Sequence, residues 1–64
     1  MRRGLIEAKL RDLSSPRRQE RVRAMQALGL LRAKQAVAPM LSSFEGEPME
    51  VKLVALNALA RRGS

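Results

Sequence analysis

The chain repeats itself, and that repetition limits what it can fold into more than any other feature. Ala24-Met25-Gln26-Ala27-Leu28-Gly29 returns as Ala55-Leu56-Asn57-Ala58-Leu59-Ala60, matching in chemical type at every position with a step of 31 residues. The same step sets Arg21 over Lys52 and Val22 over Leu53, and carries Ile6, Leu10 and Leu13 onto Val37, Leu41 and Phe44. Two different apolar patterns sharing one period are what stacked pairs of helices produce, because each pair buries its apolar side against the next. A chain of 64 residues holds about two such units.

The local patterns agree with helices throughout. Leu5, Ile6, Leu10 and Leu13 recur at helical spacing until Ser14-Ser15-Pro16 interrupts them. Ser15 can cap the next helix and Pro16 suits its first turn, where a missing N–H has no helical partner to lose. Ala24, Met25, Ala27, Leu28 and Leu31 form the next stripe; Ala36, Val37, Met40, Leu41 and Phe44 form a third, closed by Glu45-Gly46. A fourth opens at Glu47-Pro48 and carries Val51, Val54, Ala55, Ala58 and Leu59. No stretch alternates with a period of two, so the expected fold is all-α, a single domain over residues 1–64 with helices near 3–13, 16–32, 35–44 and 48–62. The small residues Ala24, Ala27 and Gly29, with Ala55, Ala58 and Ala60, should let neighbouring helices approach closely, with Ala27 an expected point of tight contact.

These residues resemble a known pattern. Ala27-Leu28-Gly29-Leu30-Leu31, followed by Ala36-Val37 and Met40-Leu41, is similar to the HEAT-like repeat of the phycobilisome-lyase type, whose units read roughly V-R-x-x-A-x-x-A-L-G-x-L-G-x-x-x-A-V-x-x-L. Val51-Lys52, Ala55, Ala58-Leu59 and Gly63 resemble the opening of a further unit. Glu20 stands where the pattern carries Val, Arg32 where it carries Gly, and Ala33 where it carries a turn Asp. The resemblance implies a short α-α superhelix, a HEAT-like helical repeat of about four helices that works through its surfaces.

Composition narrows the chemistry. There is no Cys, His, Trp or Tyr, and Phe44 is the single aromatic residue. That leaves no thiol nucleophile, no imidazole base and no ordinary zinc or haem ligand set, so neither catalysis, a metal, a cofactor nor a small-molecule substrate is expected. Glu45, Glu47 and Glu50 surround Gly46 without the alternating spacing of a calcium loop and read as a solvated turn. The longest uncharged run, Gln35 to Phe44, is far short of the ~20 residues that span a membrane. Met1-Arg2-Arg3 is followed by Glu7, Lys9, Arg11 and Asp12 instead of an apolar run, so no signal segment is expected and the cytoplasm is the expected location.

Charge points to where partners could bind. The net charge is +7, and residues 1–34 carry ten Lys and Arg against three acids, while residues 35–64 carry three of each. Arg17, Arg18 and Arg21 fall in the first turns of the second helix, the end whose dipole disfavours cations. Together with Arg11 they form a candidate site for an anionic partner. The fourth helix shows Val51, Leu53, Val54 and Leu56, an apolar stripe wider than one packing face needs, and these are the candidate interface residues. The leading expectation is a protein-protein interaction or scaffold module, self-associating as a homo-oligomer or docking on a helical partner. The alternative is non-specific nucleic-acid binding to the phosphate backbone, which a pI near 11.6 suits although no aromatic platform for bases exists.

Overall fold

Four α-helices form where the apolar periodicity sets them. The computed structural model describes residues 2–63 as α1 (Arg2–Asp12), α2 (Arg18–Leu30), α3 (Val37–Phe44) and α4 (Met49–Gly63), with a 3₁₀ turn at Lys34–Ala36 leading into α3. No strand occurs among the described residues. The all-α expectation therefore holds, with small corrections at the ends. α2 begins at Arg18 and not at Pro16, because Ser15 acts from outside the helix: its hydroxyl accepts the Arg17 N–H at 3.1 Å and donates to the Glu20 carboxylate. Glu20, the departure from Val in the repeat pattern, is thus the residue that ties Ser15 to the first turn.

The far end of α2 explains a second departure. Arg32 has φ 53°, the only positive φ among the described non-glycine residues. Its N–H bonds the Gly29 carbonyl at 3.1 Å and the Ala33 N–H reaches the Leu28 carbonyl at 3.1 Å, the paired closure in which a left-handed residue usually is Gly. Ala33 is buried there beside the core, where an Asp would have no place. Left-handed backbone costs a side-chain-bearing residue ~1–2 kcal/mol, offset by the greater freedom Gly loses on folding. Arg32→Gly should therefore raise stability by up to about 1 kcal/mol, seen as a higher urea midpoint with an unchanged slope.

α2 is the centre of the molecule. It packs along α4 and against α1, while α3 lies against α4. From α2 come buried Ala24, Met25, Leu28 and Gly29, and from α4 buried Val51, Ala55 and Ala58. Leu13, Ala36 and Met40 close the core from the remaining elements. Leu5 and Leu41, expected on buried stripes, are 44% and 55% exposed, because one face of α1 and of α3 suffices to cover a core this small. The tight contact also falls elsewhere than expected: Ala27 is half-buried, whereas a Cβ on Gly29 would lie 2.8 Å from the Ala58 Cα. Gly29 therefore sets how closely α2 and α4 approach.

The chain exposes 4542 Å². A compact protein of its mass exposes about 4,100 Å² by the usual scaling. Its radius of gyration of 10.4 Å is that of a closed globule, for which about 11 Å is expected. Its extents of 32 × 27 × 16 Å are those of a flattened body, which carries more surface for its mass than a rounded one.

Candidate functional site

Of the four arginines expected to form an anionic-partner site, the structure removes one. The Arg21 guanidinium grips the Glu47 carboxylate with two parallel bonds, Nε to Oε2 at 2.8 Å and Nη2 to Oε1 at 3.1 Å. Its Nη1 donates to the Ser15 carbonyl at 2.9 Å. With these contacts made, Arg21 links the start of α2 to the turn before α4, and it does not present its charge to a partner. Glu47 is correspondingly no part of a solvated turn: its side chain is 5% exposed. Arg11 and Arg18 are exposed, and Arg17 is exposed beside Glu20 at 3.6 Å. An anion at this helix start would therefore meet the Glu20 carboxylate as well as the guanidiniums, which weakens the site.

The apolar candidates divide in the same way. Val51 is 1% exposed and belongs to the core, so it is withdrawn from the interface set. Val54 is half-buried. Leu53 and Leu56 are 53% and 50% exposed, and Met49, not among the expected interface residues, is 68% exposed. At 3.6 residues per turn Met49, Leu53, Leu56 and Ala60 fall within about 60° of one another, directly opposite Val51, Ala55 and Ala58. This stripe is apolar and faces outward. Asn57, Glu50 and Arg61 line one of its edges; on the other, Lys52 leans over Phe44 with its Nζ 5.3 Å from the ring centre. Beyond the Asn57 edge an open groove of about 620 Å³ runs between α2 and α4, lined by Gln26, Leu30, Asn57 and Arg61 among others.

The repeat gives the stripe its meaning. Met25 is 0% exposed but its counterpart Leu56 is 50% exposed; Gly29 is buried but Ala60 is exposed. Val22 is half-buried and Leu53 is exposed. The side of α2 that α4 covers is thus copied onto α4, where Leu53 and Leu56 are left half exposed.

No family model, curated protein or solved structure matches the chain. No described helix is long and apolar enough to cross a membrane.

Proposed function

We propose that the protein is a non-catalytic interaction module, built as about two HEAT-like helix pairs, that binds helical protein surfaces through α4. The observation supporting this reading is the difference in burial between repeat-related residues, Met25 against Leu56 above all. A unit of a stack is covered on both sides, and an apolar side that the described helices leave uncovered is offered to something outside them. Here the outer side of α4 carries Met49, Leu53 and Leu56 with no polar substitution among them. Its test is the pair of substitutions Leu53→Lys and Leu56→Lys. Association measured by light scattering should be lost while the dilute protein still unfolds cooperatively, with its thermal midpoint moved by no more than about 4–8 °C, since exposed substitutions seldom exceed half a kcal/mol each. Cooperative unfolding lost altogether would show the stripe to be core and end the reading.

A second reading is favoured by the exposed Arg11, Arg17 and Arg18, which flank the turn between α1 and α2. They suit weak contact with phosphates or acidic protein, screened by salt. Arg17→Glu with Arg18→Glu should weaken retention of the protein on duplex DNA or on an acidic resin and leave its helical circular dichroism unchanged. Retention equal to wild type would remove this reading.

A further inference from the structure

Taking the α4 stripe to be an interaction face, we infer that its occupant is a second copy of the chain, joined by antiparallel packing of α4 on α4 about a two-fold axis. The stripe matches itself in reverse. With the axis level with the midpoint of Leu53 and Leu56, each Leu53 faces Leu56 of the other copy and each Met49 faces Ala60, so bulk at one end meets a small residue at the other. Charge suits this direction. Glu50 and Arg61 lie on the same edge of the stripe, one in the first turn of α4 and one near its end. A two-fold axis perpendicular to the helices keeps that edge against its own copy while reversing its direction. Glu50 then comes within two residues of the level of Arg61 in the other copy, about 3 Å at 1.5 Å per residue. Two such pairs form by symmetry. Parallel packing, about an axis along the helices, would instead turn that edge onto the opposite, Lys52 edge of the other copy, and the two Glu50–Arg61 pairs would not form. The other edge presents no obstacle, since Lys52 is drawn back over Phe44.

Sedimentation equilibrium of the whole chain tests this with wild type, Leu53→Glu, Glu50→Arg, Arg61→Glu and the Glu50→Arg/Arg61→Glu exchange. Wild type should be a dimer, and Leu53→Glu a monomer at the same concentration. Each single charge reversal should weaken the dimer by roughly tenfold, because two attractive pairs become two repulsive ones. The exchange should recover most of that loss. It places a cation at the start of α4 and an anion at its end, against the helix dipole, so recovery would not come from a steadier helix. A dimer indifferent to the charge reversals overturns the antiparallel arrangement. A wild-type monomer at every concentration overturns the second copy as occupant and leaves the interaction-module reading standing with another helical partner. A dimer that survives Leu53→Glu overturns both.

Discussion

Glu47→Ala should lower stability by about 3 kcal/mol, because it leaves the Arg21 guanidinium four-fifths buried without its counter-charge. The magnitude follows from the asymmetry between forming and breaking such a pair. Two charges brought out of water nearly offset their own attraction, but removing one partner leaves the other desolvated and unpaired. Arg21 keeps its bond to the Ser15 carbonyl and some access to water, which places the loss at the lower end of the range for buried pairs. In a chain this short a single core seldom supplies more than about 3–5 kcal/mol, so urea denaturation should find much of the variant unfolded at 25 °C. Arg21→Met with Glu47→Leu is the control that isolates the pair. It should recover most of the loss by replacing both ions with apolar volume, and a Glu47→Ala variant within half a kcal/mol of wild type would show the pair to be loose. Added salt should change the wild type little, since a pair this buried is poorly screened.

The same pair shows where the sequence stopped being informative. Arg21 drew attention as a cation at a helix start, a breach of the dipole preference that Glu50 respects at the start of α4. The breach was visible; its cause was not. Its partner lies 26 residues away across a turn, and nothing in the spacing of charges distinguishes Glu47 from Glu45 or Glu50. Helix positions were legible because they follow from apolar periodicity, which repeats with a 31-residue step. The ends of α2 were less so, since Arg17 holds the N-cap position without a capping side chain and Arg32 takes the conformation that pattern reserves for Gly.

The interface stripe was half legible for a related reason. Leu53 and Leu56 stand out with Val51 and Val54 because α4 has too many apolar residues for one packing face. Which of those residues face the core depends on where α2 crosses, and that depends on Gly29 and Ala58. With the crossing known, Val51 moves inward and Met49 joins the outer side. The repeat could have supplied this: residues equivalent to the buried Met25 and Gly29 must lie on the side of α4 turned away from α2 if the units stack in register.

That crossing carries the second large effect. On an open helix, Gly→Ala stabilises by about 1 kcal/mol. At position 29 the sign should reverse, and Gly29→Ala should cost about 2 kcal/mol, with Gly29→Leu unfolded. A Cβ there would stand 2.8 Å from both the Cα and the Cβ of Ala58 and 3.3 Å from its carbonyl oxygen, and two of those three atoms are backbone. No rotamer change relieves that contact, so α2 and α4 must separate, and the packing of Met25 and Leu28 over Val51 and Ala55 loosens with them. Ala58→Gly should rescue Gly29→Ala only in part, because it removes one of the two closest atoms and leaves the other. A urea midpoint raised by Gly29→Ala would mean that the helices cross further apart than described. The repeat counterpart of Gly29 is Ala60, which already carries a Cβ on the outer side of α4. Whatever helix covers that side must therefore cross at a wider spacing than α4 does over α2, as an antiparallel pair held apart by Leu53 and Leu56 would.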